Sequence, residues 1–294
     1  MSRLDFSGRV ALVTGAGRGL GAAYAEALAR AGADVMVNDV AVSRDGTPRA
    51  QALADRLAGE GLRVAADTGS MGAEDAATAA VERTVERFGR IDILINNAGV
   101  GAMGPLHDQS SETFRRVLDV HLMGSFWTMR AAIPHMRAQG HGRIVNSSSA
   151  VGAFGAPDFA LYSAAKAALI GLTRSCAQEH LDVDLRINAV APVAQTAMGK
   201  GFFDLNPMLD GSIYDVSHVT PMVTYLCHAD CTLTGALMTA GAGRYARIWS
   251  STAAGVFRPG VEDGDFGALL PALSNREGEI EPWNALDEFI LVNS

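Results

Sequence analysis

The chain has 294 residues, 48% of them hydrophobic and 19% charged, enough apolar material for a substantial core and too much for wholesale disorder. Its formal charge is −8, but Arg258 to Ser294 holds eight acidic and two basic residues, so residues 1–257 sit near −2 and carry no basic field for nucleic acid. Three cysteines are too few for a disulfide framework, no apolar run approaches a membrane span, and MSRLDFSGRV lacks an apolar signal core, so a cytoplasmic protein engaging neither membrane nor nucleic acid is expected.

Taken in order, VALVT between Arg9 and Gly15 is an apolar, β-branched run closed by glycine, as a buried parallel strand should be. LGAAYAEALARAGA comes next, with helical periodicity. Residues 34–39 read as a second strand, 50–58 as helix, 62–67 as a third strand, 73–89 as helix and 91–99 as a fourth strand. Ser110 opens what reads as one long helix to Gly140, with the serine as its cap. GRIVNSSS, ending at Ser149, is the fifth strand, and LYSAAKAALIGLTRSCAQE the helix after it. Residues 184–192 form a sixth strand and those near 237–241 a seventh. Strands alternating with helices at this spacing predict an α/β fold, a Rossmann-like doubly wound parallel sheet of about seven strands over residues 1–257. After Phe257 the chain turns acidic and rich in Gly and Pro, then ends in PWNALDEFILV. Residues 258–294 are therefore expected to be an extension packed on the domain or on a second subunit. Cys227, His228 and Cys231 fall at a helix end with no fourth ligand nearby, so buried thiols rather than a metal site are expected.

Gly15, Gly19 and Gly21 lie directly after a strand and open a helix. That setting lets the backbone approach a pyrophosphate, which the free N–H groups at the helix start attract; a glycine turn without ligand is the alternative. Asp39 ends the second strand 18 residues past Gly21, close to the ~20 expected of a ribose-binding acid. Its carboxylate can accept both adenine-ribose hydroxyls and would repel a 2′-phosphate, which favours NAD, whereas Arg18 in the glycine loop could reach such a phosphate and argues for NADP. Asp67 stands where it could reach the adenine amino group, although either aspartate could instead cap its loop. Tyr162 and Lys166 are four apart on a helix and share a face. A free tyrosine has a pKa of roughly 10, and a cation one turn away is expected to lower it and make the phenol a general base.

With these residues in hand the chain resembles the short-chain dehydrogenase/reductase family. Thr14-Gly15-x-x-x-Gly19-x-Gly21 is similar to its cofactor loop, Asn96-Asn97-Ala98-Gly99 to its NNAG turn, and Tyr162-x-x-x-Lys166 with Ser149 thirteen residues earlier to its active site. VNDV, VHLMGSF, APVAQTAM, LCHADC and TAGAG further resemble one branch, that of the (3R)-hydroxyacyl-CoA dehydrogenase of peroxisomal multifunctional enzyme type 2. The resemblance, over about residues 6–250, implies a homodimer or homotetramer. It implies that Leu20, Thr68, Asn97, Ala98, Gly99, Pro192, Val193 and Thr196 join the glycines, Arg18, Asp39 and Asp67 at the cofactor, with Thr196 on the nicotinamide amide. It makes Tyr162 the group that exchanges the hydroxyl proton, Lys166 its partner and the holder of the nicotinamide ribose, and Ser149 the donor to the substrate oxygen. Ser147 and Ser148 are expected to be strand-end hydrogen-bonders.

Two positions depart from the family pattern. His121 stands where an asparagine that holds a relay water is usual, and is read either as a catalytic proton-relay residue or as a core histidine on a stripe with Phe114, Val117 and Leu118. Pro192-Val193 replaces the usual Pro-Gly. Met103, Leu106 and Phe154, with Phe202, Phe203, Leu205, Met208 and Leu209, suggest a bulky apolar substrate, for which acyl chains and steroids both fit. The expected function is NAD-dependent interconversion of a secondary alcohol and a ketone, on a 3-hydroxyacyl-CoA among other candidates. An NADPH-dependent steroid or polyketide carbonyl reductase and a non-catalytic dinucleotide-binding protein stand as alternatives.

Overall fold

The structure, a computed structural model, describes residues 4–196, 203, 211–260 and 262–287. The chain divides into two units, Met1–Arg247 and Ile248–Ser294. In the first, β1 (Val10–Val13), β2 (Asp34–Asn38), β3 (Val64–Asp67), β4 (Ile93–Asn96), β5 (His141–Ser147), β6 (Asp184–Pro192) and β7 (Leu237–Gly241) are joined by β8 (Arg244–Ile248) in one sheet. The strand order is β3-β2-β1-β4-β5-β6-β7-β8, and every pairing from β3 to β7 is parallel. The eighth strand exceeds the expected seven. It is reached from β7 through a two-residue turn in which Ala242 (φ 48°) and Gly243 (φ 78°) are both left-handed, the geometry that joins antiparallel neighbours. Alanine gives no sequence signal for such a turn.

Both faces of the sheet are covered, which explains why its strands are continuously apolar rather than alternating. Val13, Ile93 and Ile95 face a core shared with Tyr24 and Leu28 of α1 (Gly19–Arg30), Leu57 of α2 (Arg49–Gly59) and Val223 and Leu226 of α8 (Thr220–Cys227). Leu12, Leu94 and Ile144 face the other way, onto Val81 of α3 (Glu74–Phe88) and Trp127 and Met136 of α5 (Gly124–Gln139). Cys227 and Cys231 lie in the first of these cores, and burial pushes both thiols up.

The predicted long helix does begin at Ser110, whose hydroxyl accepts from Thr113 N at 3.0 Å, and does run to Gly140. It is not continuous. A π-turn at Asp119–Met123 separates α4 (Ser111–Leu118) from α5, and the extra residue rotates the helix beyond it. The expected stripe is broken accordingly: Val117 and His121 are buried, whereas Phe114 is 36% exposed. α6 (Ala150–Phe154) and α7 (Ala160–Glu179) complete the elements around the site.

Strand order reverses between β1 and β4, so the connections leaving these neighbours diverge and open a crevice at their C-terminal ends. The second unit contains a short 3-10 segment (Asp263–Leu269) running into α9 (Leu270–Leu273), and an antiparallel bridge between Thr252 and Ile280. No helix among the described residues is long and apolar enough to cross a membrane.

Candidate active site

The glycine turn between β1 and α1 is fixed from below. Gly15 and Gly19 take φ of 62° and 58°, a region that favours glycine. A Cβ on Gly15 would stand 2.7 Å from Ala98 Cα, and one on Gly21 only 2.4 Å from Gly15 O. Asn97 donates its side-chain amide to Thr14 O and Gly15 O, both at 3.0 Å. Thr14 Oγ1 in turn accepts from Asn97 N and Ala98 N, also at 3.0 Å. The turn after β1 and the turn after β4 thus form one bolted unit. Arg18 is the N-cap of α1 and is exposed; among the described residues no side chain caps this helix, so its first amides are left for another acceptor.

Asp39 sits beside the turn with one oxygen accepting from Gly17 N at 2.8 Å and the other from Ala41 N at 2.7 Å. Those bonds hold the carboxylate beside the glycine turn. Asp67 is turned inward. Arg83 and Gly69 N donate to it, as does Asn38 Nδ2 at 2.5 Å, an internal engagement that its sequence position did not reveal. Thr68 next to it is exposed, and Leu20 packs partly into the core. Pro192 ends β6, and Val193 N donates to Ala240 O at 2.8 Å. The chain then passes over the turn, bringing the Thr196 methyl within 3.6 Å of where a Gly19 Cβ would be.

Ser149, Tyr162, Lys166 and His121 converge where β5 ends. Ser149 caps α6, accepting from Val151 N at 3.1 Å, and its hydroxyl is hydrogen-bonded to the Tyr162 phenol. Lys166 is 4% exposed; its ammonium donates to Ser147 O and lies 5.5 Å from the centre of the Tyr162 ring. Ser148 Oγ donates to Lys166 O at 2.7 Å, the strand-end bonding expected of it. The electrostatics correct the expected pKa of the phenol. Burial pushes Tyr162 up to about 12 against the hydrogen bond from Ser149, and burial brings Lys166 down to about 7. Desolvation outweighs the attraction inferred from spacing alone.

His121 is 1% exposed, and its ring meets Tyr162 edge-on at 5.3 Å. Its Nε2 lies 2.8 Å from Val100 O and 3.0 Å from Val100 N, so the backbone of one residue offers an acceptor or a donor to either neutral tautomer. Burial, then the charge of Lys166, lowers its pKa to about 3, which excludes an imidazolium at ordinary pH. Its Nδ1 and the hydroxyl of Ser147 are buried with no partner among the described residues. The imidazole packs so closely on the NNAG turn that a Cβ on Gly99 would lie 2.4 Å from its Cε1. Neither the acceptor Ser147 O nor the peptide of Val100 was identifiable from the sequence, because backbone atoms carry no residue signature.

Of the apolar residues singled out, Met103, Leu106 and Phe154 are more than half exposed. Gly104 N donates to Asp158 O at 2.8 Å, tying the loop after β4 to the loop before α7. Phe203 is buried against Tyr214, with ring centres 5.0 Å apart. Phe202, Leu205, Met208 and Leu209 lie outside the described residues.

Comparison with known proteins gives a consistent picture. The short chain dehydrogenase family model matches residues 9–204. A Mycobacterium tuberculosis protein named as a short-chain type dehydrogenase/reductase is 38% identical over 244 residues, covering 82% of this chain and 84% of that one. Peroxisomal multifunctional enzyme type 2 of Drosophila melanogaster is 36% identical over 274 residues, covering 89% of this chain but 44% of the longer protein. The crystal structure of a short chain dehydrogenase from Mycobacterium avium superposes with a TM-score of 0.80 at 32% identity, over 94% of this chain and 97% of that one.

Proposed function

The chain belongs to the short-chain dehydrogenase family, and from that premise we propose that it is an NAD-dependent oxidoreductase interconverting a secondary alcohol and a ketone on a bulky apolar substrate, with Tyr162 exchanging the hydroxyl proton. The observation that carries this reading is the meeting of Ser149 and Tyr162 with a buried Lys166, beside a glycine turn that has no room for side chains at Gly15 or Gly21.

The residues present fit a dinucleotide. Gly15, Gly19, Leu20 and Gly21 offer backbone to a pyrophosphate, Asp39 is aimed at an adenosine ribose, and Thr196, Val193 and Lys166 border the nicotinamide end. Thr68 flanks the adenine side, its loop held from within by Asp67, and Asn97, Ala98 and Gly99 form the opposite wall. When bound, such a group would supply hydride chemistry at its nicotinamide end. The chain does the rest. The Ser149 hydroxyl, its oxygen already held by Val151 N, donates to the substrate oxygen where charge develops. With a pKa near 12 in the free protein, Tyr162 is protonated at neutral pH, the form that gives a proton to a ketone. Removing a proton from an alcohol calls for the Lys166 charge to come closer than its present seat over the ring. His121, held neutral, serves through hydrogen bonds; its Nδ1, without a partner among the described residues, can hold a water in a path from Lys166 to solvent.

Asp39 favours NAD, whereas exposed Arg18 supports NADP. A 3-hydroxyacyl-CoA leads the substrate candidates because the chain resembles that branch over most of its length, and the exposed Met103, Leu106 and Phe154 suit an acyl chain. The test is NADH formation against hydroxyacyl-CoAs, hydroxysteroids and simple secondary alcohols, with NADPH and ketones in the reverse direction. Turnover on one class, abolished in Tyr162→Phe, is expected. Tight NAD binding with no turnover on any member would instead mark a dinucleotide-binding protein without catalysis.

A further inference from the structure

Beneath the site runs a chain of buried amides and hydroxyls. Thr128 Oγ1 of α5 lies 2.7 Å from Asn96 Oδ1, Asn96 Nδ2 donates to Asn146 Oδ1 at 3.0 Å, and Asn146 Nδ2 donates to Thr173 Oγ1 of α7 at 3.0 Å. Asn96 and Asn146 face each other across β4 and β5, and none of the four residues is more than 4% exposed. Two asparagines buried in the middle of the sheet, directly after the apolar runs Ile93–Ile95 and Ile144–Val145, need a reason. Net stability is a poor one, since apolar groups of the same shape in place of both partners can be nearly neutral, whereas one partner lost leaves a costly orphan. What such a chain gives is a unique geometry.

That geometry has a direction. Asn96 immediately precedes Asn97, which bolts the glycine turn, and Asn146 precedes Ser147, whose carbonyl receives the Lys166 ammonium. Thr173 lies seven residues after Lys166, two helical turns along the same face of α7. We propose that Asn146 and Thr173 are positioning residues for the redox reaction: their hydrogen bond fixes the height of α7 against β5 and so sets Tyr162 and Lys166 relative to the dinucleotide cradle. The consequence for catalysis rests on the oxidoreductase reading above; the positional consequence does not.

Two substitutions separate the hydrogen bond from packing. Thr173→Val keeps the shape and loses the hydroxyl; Thr173→Ser keeps the hydroxyl and loses a methyl. The chain contains only two lysines, Lys166 and Lys200, so a carbon-13 NMR titration of ε-labelled lysine reports Lys166 directly, with Lys200→Arg to assign it. Thr173→Val is expected to move the Lys166 midpoint by at least about half a pH unit while Thr173→Ser leaves it in place. With NAD and (R)-3-hydroxyoctanoyl-CoA, Thr173→Val should lower kcat about tenfold with KM within about twofold, and Thr173→Ser should restore it. A valine variant matching wild type in the lysine titration, or a serine variant more impaired than the valine one, would overturn the proposal. If wild type forms no NADH from that thioester or any other alcohol, the oxidoreductase reading fails, while the lysine titration still judges the tie.

Discussion

Lys166 is held at a cost that can be measured by removing its charge. In the unfolded chain its pKa is near the usual 10.5; in the fold, burial brings it to about 7. The unfolded state therefore binds the proton more tightly, and folding stability rises with pH between about 7 and 10.5. Below that window the buried ammonium withholds about 5 kcal/mol; at pH 9 the residual cost is about 2 kcal/mol. Lys166→Met fills the same space without a charge but leaves Ser147 O without its donor, a loss of about 1–3 kcal/mol. The methionine variant should thus be the more stable protein at pH 6, by about 2–4 kcal/mol, and roughly level with wild type at pH 9. The assay is the thermal midpoint of both proteins, without dinucleotide, at the two pH values. The gap between them should close by about 6–12 °C on going to pH 9, the equivalent of about 3 kcal/mol for a domain of this size. A gap that is the same at both pH values, or that widens at pH 9, would show that the lysine is not desolvated and would remove the physical basis assigned to the pocket.

Tyr162→Phe should lower turnover by roughly 10²–10⁴ while NAD affinity, read by fluorescence titration, stays within a few-fold; a parallel loss of NAD binding would make the tyrosine structural. Asp39→Ala removes both the carboxylate and the acceptor for Gly17 N, and the NAD over NADP preference in kcat/KM should fall by about tenfold or more. An unchanged ratio would count against a ribose contact. Gly99→Ala places a methyl 2.4 Å from His121 Cε1 and should destabilise the fold by about 1–3 kcal/mol in chemical denaturation. A neutral result would mean that the π-turn relaxes and that His121 is not held by the turn it packs against.

The parts of this molecule that obey local rules were readable from the chain. The VALVT and ILIN runs, the glycine spacing and the Tyr162–Lys166 pair each have a pattern that burial or helical geometry imposes, and the fold and family came from them. What resisted reading depends on context that no local pattern carries. The π-turn redirects His121 although its flanks look like uninterrupted helix. The direction of the Tyr162 shift depends on desolvation, which spacing does not report. Asp67 resembles a ligand-facing acid in sequence and is occupied by Arg83 in space, and the eighth strand hides behind a turn whose first residue is alanine. Asn146 did leave a trace: a lone amide in GRIVNSSS directly after the apolar pair Ile144-Val145.

The bolting of the glycine turn to the end of β4 by Asn97 and Thr14 bears on how a dinucleotide would be met. A loop ordered only by its ligand spends part of the interaction energy on that ordering. Here the seat is finished in advance, by four hydrogen bonds that the protein makes with itself. The turn should consequently keep its course when a dinucleotide arrives, with the uncapped first amides of α1 gaining protection from hydrogen exchange only then, and encounter should proceed as docking onto a rigid socket rather than as folding around a guest.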